Sequence, residues 1–197
     1  MVKKLVLATS NKGKLTEIEV YLESLDVELI LKPTWLEVEE TGSTFRENAL
    51  LKASQVASAL GQWAIADDSG LMVDALGGAP GIFSARYAPT DDQCIDRVLK
   101  GLDGVDNRDA QFVCAVAIAS PDGKIVLQKE GVCRGKILTQ RQGEGGFGYD
   151  PIFYVPEIGQ TFAQMSSEIK NKISHRGLAL TELLPELTAM LPKFPHQ

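Results

Sequence analysis

The stretch KLVLATSNKGKLTEIEVYLESL, residues 4–25, decides the fold class of this chain. Its apolar start ends at the small polar residues 9–11, and Leu15, Ile18 and Leu22 then recur at helical spacing. This pattern predicts a strand, a tight loop and a helix, which is how an α/β fold begins.

Strand and helix patterns alternate along the rest of the chain. The turn Ser120-Pro121-Asp122-Gly123 is a hairpin signal between two apolar runs, and Pro185 must kink or split the last helix. We therefore predict a mixed α/β fold in a single domain, 1–197, without internal repeats. Further strands are predicted at 27–31, 63–66, 110–119, 124–128 and 151–156, and further helices at 44–60, after Thr90 and at 174–191.

Length and composition set limits on the class of protein. With 197 residues, 44% of them hydrophobic, the chain can bury a full core as one domain, or as one domain with two lobes. No apolar run approaches the ~20 residues of a membrane span, and the N-terminal apolar run is too short for a signal peptide. Cys94, Cys114 and Cys133 lack the spacing of a disulfide framework or a zinc knuckle. We expect a soluble, cytoplasmic protein that does not bind membranes.

The net charge of -6 argues against a nucleic-acid partner, which would require a basic face. It still permits a small anionic substrate, because a local cluster of lysines or a bound cation can reverse the local field. The sequence has only two histidines, so a metal site would be built from oxygen ligands. Oxygen ligands favour a hard ion such as Mg²⁺.

The loop at 9–14 is the first candidate site, because it joins a strand to the N-terminus of a helix. Backbone N–H groups and the positive helix end face such a loop, and its lysines and small polar side chains add donors for phosphate oxygens. Gly13-Lys14 resembles the end of a P-loop, but Leu15 replaces the required Ser or Thr. The alternative interpretation is an ordinary helix cap with solvated lysines.

Two adjacent carboxylates, Asp67 and Asp68, form the second candidate, at the end of the strand predicted for 63–66. Neighbouring side chains on an extended backbone point apart, so one of the two should face a site. A carboxylate there can ligate Mg²⁺ or accept a proton from water, and the alternative is an Asx turn that closes the strand. Glu39 and Glu40 are weaker candidates, since an acidic loop is usually only solvated.

The motif SHRG, residues 174–177, is the third candidate and places a His beside an Arg at a predicted helix start. A charged His is disfavoured near a helix N-terminus, so His175 should be neutral and able to donate or accept. Lys170 and Lys172 lie just upstream. The alternative is a solvated basic turn.

The glycine-dense segment 143–148 satisfies the pattern G-x-G-x-x-G. A dinucleotide-binding fingerprint must open a helix, whereas this segment is followed by Tyr149-Asp150-Pro151 and a predicted strand. We therefore exclude a dinucleotide site here.

Taken together, five blocks resemble the Ham1-like inosine/xanthosine triphosphate pyrophosphatase family. Each block is weak alone, but the five in this order cover nearly the whole chain. Ser10, where a glycine is common in the family, is a mild departure. The blocks are LATSNKGK (7–14), EETGSTFRENALLKA (39–53), AIADDSGLMVDALGGAPGIFSARY (64–87), GGFGYDPIF (145–153) and SHRG (174–177).

The resemblance implies an elongated α/β structure, with flanking helices on a mixed β-sheet and two lobes around a central cleft, in a homodimer. It also implies a Mg²⁺-dependent hydrolase that cuts ITP, dITP and XTP between the α and β phosphates. The products would be the nucleoside monophosphate and pyrophosphate. Such an enzyme would remove these nucleotides from the cellular pool.

The resemblance also implies roles for individual residues. Asp68 should be the general base and a metal ligand, with Glu39 as the other metal ligand. Phe147 and Tyr149 offer aromatic faces for a purine. The full set expected to bind substrate is Thr9, Ser10, Asn11, Lys12, Gly13, Lys14, Ser69, Phe147, Gly148, Tyr149, Asp150, Lys170, His175 and Arg176.

Two other functions stay open from the sequence. One is a pyrophosphatase of related fold that acts on pyrimidine or modified triphosphates. The other is a nucleotide-binding module or sensor without catalytic activity.

Overall fold

The computed structural model describes residues 3–194. Seven strands and five α-helices lie within that range, with short 3₁₀ turns at Asp74–Leu76, Gly81–Arg86 and Leu191–Lys193. In chain order the elements are β1 (Lys3–Leu7), α1 (Lys12–Leu22), β2 (Val27–Leu31), α2 (Phe45–Leu60), β3 (Ala64–Val73), α3 (Asp91–Gly101), β4 (Asp109–Ala119), β5 (Ile125–Ile137), β6 (Phe153–Val155), β7 (Gln160–Thr161), α4 (Ser167–Ile173) and α5 (His175–Met190).

The seven strands form one mixed sheet in the order β2-β1-β3-β4-β5-β6-β7. Strand β1 pairs in parallel with both β2 and β3, as expected for strands connected through helices. Strands β5, β6 and β7 pair in antiparallel fashion. The predicted mixed α/β fold with flanking helices is therefore confirmed.

The described residues divide into two compact units, each with its own hydrophobic core. Unit 1 comprises 3–68, 114–131 and 178–194, and its core includes Leu5, Ile65 and Leu183. Unit 2 comprises 69–113 and 132–177, and its core is built around buried aromatic side chains. Because the chain passes between the units several times, neither unit is a continuous segment.

Helix α2 has the ends that its sequence predicts. The Thr44 hydroxyl accepts a hydrogen bond from the Glu47 N–H at 3.1 Å, and Gly61 ends the helix in the left-handed conformation, with φ of 62°. The Glu47 carboxylate reaches one residue further back than in a standard capping box and accepts from the Ser43 N–H at 2.7 Å.

Strand β3 does not end where the sequence suggested. It continues through Asp67 and Asp68 to Val73, so the two carboxylates lie within a strand and not at its end. Acidic residues followed by Ser69-Gly70 resemble a turn in the sequence. Here the carboxylates are buried in the strand because each is paired with a lysine.

Two other predicted strands differ from the structure, and one helix was not predicted. Strand β5 extends nine residues beyond the predicted end at Gln128, because its alternating buried and exposed positions fit a half-buried strand despite their polar residues. Pro151 and Ile152 form a turn before β6, and helix α4 was not predicted. Pro185 lies inside α5 without splitting it.

No helix among residues 3–194 is long and apolar enough to cross a membrane.

Candidate functional site

The loop at 9–14 is folded by its own side chains. Asn11 is the N-cap of α1, and its side-chain oxygen accepts from the Gly13 N–H at 2.9 Å and the Lys14 N–H at 3.2 Å. The Asn11 N–H in turn donates to the Thr9 hydroxyl at 3.1 Å. Ser10 and Lys12 are exposed. The loop therefore has a defined shape and presents these side chains to solvent at a helix N-terminus.

Lys14 is not a solvated lysine, as the alternative interpretation of this loop required. Its ammonium lies 2.9 Å from the carboxylate of Asp67, whose side chain is fully buried in β3. The Cys114 thiol lies 3.9 Å from the same carboxylate oxygen. Asp67 thus holds the loop's second lysine against the sheet.

Asp68 contacts two residues of helix α2. Lys52 Nζ is 3.0 Å from Asp68 Oδ1, and the Asn48 amide donates to Asp68 Oδ2 at 3.2 Å. Asn48 and Lys52 are four residues apart, so one face of the helix presents both. Lys52 Nζ is also 2.7 Å from Glu40 Oε1 and joins the two carboxylates.

Burial and charge shift the pKa values in this cluster. Burial raises the pKa of the Asp68 carboxyl above its usual value, although Lys52 acts in the opposite direction. Burial alone would lower the pKa of Lys52, but the carboxylates of Asp68, Asp67 and Glu40 outweigh it, so the pKa of Lys52 is raised. Asp68 is therefore a stronger base than a solvated aspartate, beside a lysine that keeps its charge.

The acidic loop places Glu40, and not Glu39, beside Lys52. Glu39 is exposed, whereas Glu40 is partly buried. Among residues 3–194, no three or more His, Cys, Asp or Glu side chains are grouped as metal ligands. The carboxylates of Glu40 and Asp68 share one lysine and supply the hard oxygen donors that suit Mg²⁺. The choice of Glu39 as a metal ligand stays a prediction.

In unit 2, the first residues of α5 hold a buried guanidinium. Arg176 is 2% exposed, and its Nη2 donates to the Ser69 hydroxyl at 2.8 Å. The His175 ring stacks on Phe112 with 4.7 Å between ring centroids. The alternative of a solvated basic turn is therefore wrong, because both side chains are fixed in the interior.

A buried ion pair supports the segment 147–150. Lys170 Nζ lies 2.6 Å from Asp150 Oδ2, which also accepts from the Phe147 N–H at 2.9 Å. Lys170 Nζ lies 5.0 Å from the centre of the Phe147 ring, and the Arg176 guanidinium carbon lies 6.0 Å from it. Phe147 is thus an aromatic ring with two cations over it.

Tyr149 does not provide the aromatic face expected of it. Its side chain is 5% exposed and packs in the unit 2 core, and its hydroxyl donates to the Ser84 carbonyl at 2.9 Å. Burial raises the pKa of this hydroxyl, so it stays protonated. Phe147 is only partly buried, so it is the aromatic ring of this segment that is exposed to solvent.

A sequence model of the Ham1 family matches residues 5–186. The chain belongs to the Ham1 family. It is similar to the dITP/XTP pyrophosphatase of Nostoc sp., with 64% identity over 191 residues that cover 97% of each chain. It is similar also to that of Synechocystis sp., with 59% identity over 180 residues that cover 91% of this chain and 93% of the relative.

Solved structures of Ham1 proteins have the same fold as this Ham1 chain. The HAM1 protein of Coxiella burnetii is 43% identical with a TM-score of 0.87, covering 96% of this chain and 100% of its own. The Ham1 protein of Staphylococcus aureus is 44% identical with a TM-score of 0.82, covering 97% and 99%.

Asn48 and Lys52 contact Asp68 in this Ham1 chain but were not among the residues predicted from the sequence. Both are buried on the face of α2 that also buries Ala49 and Ala53. An amide and a lysine on the small-residue face of a helix are expensive to bury unless they are paired. That pattern was the available signal, since charged residues belong on the outer face of such a helix.

Proposed function

We propose that this Ham1-family chain hydrolyses ITP, dITP and XTP between the α and β phosphates, releasing the nucleoside monophosphate and pyrophosphate. The observation that carries the proposal is the Asp68 carboxylate, buried in β3 and held by Lys52 and Asn48. The curated relatives named dITP/XTP pyrophosphatases, which are up to 64% identical, supply the substrate class.

Asp68 is the general base of the proposed reaction. It accepts a proton from the water that attacks the α-phosphorus, while the bond from that phosphorus to the bridging oxygen breaks and pyrophosphate leaves with the bonding electrons. Burial raises the pKa of Asp68, which improves its driving force as a proton acceptor. A buried carboxylate beside two fixed donors is pre-organised for this step.

The lysines of unit 1 neutralise the polyphosphate in this proposal. Lys14 is held by Asp67 at 2.9 Å and Lys52 by Asp68 at 3.0 Å, so both charges have defined positions. Phosphoryl transfer depends mostly on such positioning and charge neutralisation. The exposed polar side chains of the loop at 9–14 add further donors for phosphate oxygens.

Mg²⁺ is the proposed cofactor. Asp68 and a glutamate of the acidic loop would hold it, with Glu39 as the sequence-based choice and Glu40 as the residue that lies nearer to Lys52. When bound, the ion would supply positive charge to the phosphates. We expect Glu39→Gln to raise the Mg²⁺ concentration needed for half-maximal activity. If Glu40→Gln has this effect instead, the choice of Glu39 is wrong and Glu40 is the ligand.

The residues of unit 2 recognise the base in this proposal. Hypoxanthine and xanthine present a 6-oxo acceptor, whereas adenine presents an amino donor there. Arg176, aimed by its hydrogen bond to Ser69, and His175, fixed against Phe112, are donors suited to a 6-oxo group. Phe147 offers its ring to the purine plane.

The proposal also includes a homodimer in the cytoplasm. The three cysteines are buried thiols outside any disulfide bond, which agrees with a reducing compartment. The oligomeric state can be tested by sedimentation, and the dimer is expected at micromolar concentrations.

One assay separates this function from the two alternatives. The chain is incubated with Mg²⁺ and ITP, XTP, GTP, ATP or TTP, and pyrophosphate and the monophosphate are measured. We expect equal amounts of both products from ITP and XTP, and little from ATP and TTP. Turnover of TTP above ITP would favour a pyrimidine pyrophosphatase. Binding of ITP without products would favour a sensor.

A further inference from the structure

Helix α3 contacts both ends of the segment 141–148, which contains the glycine-dense residues 143–148. Arg141 Nη2 donates to the Asp92 carbonyl at 3.0 Å and to Asp96 Oδ1 at 2.8 Å. At the other end, the Gly148 N–H donates to Asp91 Oδ2 at 3.1 Å. Two attachments to one helix, seven residues apart in the segment, restrict the path of everything between them.

The same segment is also tied along its length to the chain near β7. The Thr161 hydroxyl donates to the Gln142 carbonyl at 2.7 Å, and the Gly145 N–H donates to the Ala163 carbonyl at 3.0 Å. A Cβ on Gly143 would lie 2.6 Å from the Ala163 backbone, so the approach is close. The segment is therefore a fixed structure that ends at Phe147 and Gly148.

Two carboxylates hold the consecutive N–H groups at that end. Asp150 accepts from Phe147 and is itself neutralised by Lys170, whereas Asp91 accepts from Gly148. The bond to Asp91 fixes the peptide on the C-terminal side of the Phe147 ring. Gly148 has a φ of 58°, a conformation from which glycine departs readily without such an anchor.

We propose that Asp91 is a positioning residue for base recognition, which holds the Phe147 ring in place through the Gly148 peptide. The inference rests on the proposed function, in which Phe147 contacts the purine. Asp91 does not itself touch substrate in this scheme. Its loss should weaken binding of the base and leave phosphate binding by the residues of unit 1 unaffected.

The role of Asp91 in the helix can be separated from its role in the segment. Thr90 is the N-cap of α3 and accepts from the Gln93 N–H, so the helix does not need Asp91 as a cap. Asp92 places the same charge in the same first turn, and its side chain is 86% exposed, with one carboxylate oxygen 3.6 Å from Arg141 Nη2. In Asp92→Ala, Arg141 keeps its shorter hydrogen bonds to the carbonyl of residue 92 and to Asp96. Asp92→Ala is therefore the matched control for Asp91→Ala.

The test compares the unaltered chain with Asp91→Ala, Asp91→Asn and Asp92→Ala. We expect Asp91→Ala to raise KM for ITP about fivefold to tenfold with kcat nearly unchanged, the effect of losing one ordinary hydrogen bond, because the bond to Asp91 is exposed to solvent. Asp91→Asn keeps an oxygen acceptor and should recover most of the KM. Inhibition by inorganic pyrophosphate, which lacks a base, should be the same in all four proteins, and both alanine variants should lose equal thermal stability.

Equal KM values in Asp91→Ala and Asp92→Ala would overturn the inference and leave the proposed function intact. A loss of pyrophosphate inhibition that accompanies the rise in KM would also overturn it, because the damage would then reach unit 1. If the unaltered chain fails to hydrolyse ITP, the proposed function fails, and ITP affinity measured in chelator still decides whether Asp91 acts on the base. Absence of ITP binding to the unaltered chain would overturn both.

Discussion

Each unit buries a lysine–aspartate pair, but the groups around the two pairs have opposite charge balance. In unit 1, Lys52 and Asp68 join Glu40, Asp67 and Lys14, so three carboxylates accompany two lysines. In unit 2, Lys170 and Asp150 lie near Phe147 and Arg176, so one carboxylate accompanies two cations and an aromatic ring.

The difference suits the two pairs to the different roles proposed for them. An excess of carboxylate suits a proton acceptor and a divalent cation, whereas an excess of donors beside a ring suits the oxo groups of a purine. One oxygen of Asp150 accepts hydrogen bonds from both Lys170 and the Phe147 N–H, so this carboxylate holds the segment in place. Asp68 instead combines a raised pKa with hydrogen bonds from two side-chain donors, which suits the proposed proton acceptor.

The largest effect should come from Asp68→Asn. The change is nearly isosteric, so the fold should persist, and loss of the general base should reduce kcat for ITP by about 10²–10⁴-fold. Steady-state hydrolysis and circular dichroism measure the two quantities. Asp67→Asn is the neighbouring control and should act mainly by releasing Lys14, which raises KM more than it lowers kcat. Equal losses of kcat in the two variants would contradict the choice of Asp68 as base.

Lys170→Met should have the next largest effect, on stability. It leaves the Asp150 carboxylate buried without its ammonium partner, which costs about 3–5 kcal/mol in the free energy of unfolding. Urea denaturation measures this value. The double variant Asp150→Asn with Lys170→Met should recover much of the loss, because the buried charge is then gone. No recovery would mean that the pair does not hold the segment as the structure indicates.

Arg176→Ala should change base selectivity by a smaller factor. A buried donor opposed by the adenine amino group costs about 1–3 kcal/mol, so the unaltered chain should reject ATP by about tenfold to a hundredfold. Arg176→Ala should lower kcat/KM for ITP and XTP far more than for ATP, and so reduce the preference for ITP and XTP over ATP. Selectivity that survives both this change and His175→Ala would place base recognition in the backbone around Phe147.

The smallest effect is the pH dependence of folding stability that comes from Asp68, the proposed general base. Because the pKa of Asp68 is raised in the folded protein, the fold binds its proton more tightly than the unfolded chain does. The contribution of Asp68 to stability therefore falls as pH rises from the pKa of Asp68 in the unfolded chain through its higher pKa in the folded protein. Removing the Asp68 charge also takes a partner from Lys52, which is a cost that varies little with pH in this range. Measured with chelator present, the thermal stability of Asp68→Asn relative to the unaltered chain should therefore increase as pH rises from 3.8 to 8. A difference independent of pH would contradict this assignment.

Local signals in the sequence were sufficient for several elements. The ends of α2 follow from Thr44 and Gly61, and β2 follows from the apolar run 27–31. Helix caps and hydrophobic periodicity depend on residues a few positions apart, so both can be recognised from the sequence alone. The polar loop between β1 and α1 was predictable for the same reason.

The charge partners, in contrast, required the tertiary structure. Lys14 is 53 residues from Asp67 in the chain, and Gly148 is 57 residues from Asp91. Nothing local distinguishes a lysine that will be buried against a carboxylate from one that will be solvated. For that reason β3 was expected to end at Asp67, and Lys52 was missed as a partner of Asp68.

The sequence by itself determined most of the elements, the mixed α/β class and, through five ordered motifs, membership in the Ham1 family. Only the tertiary structure decided that Glu40 lies beside Lys52, that Tyr149 is part of a core, and that Asp91 anchors Gly148. The physical reason is that element formation is governed by short-range backbone and periodicity effects. Burial and charge pairing depend instead on which distant segments the sheet and its helices bring together.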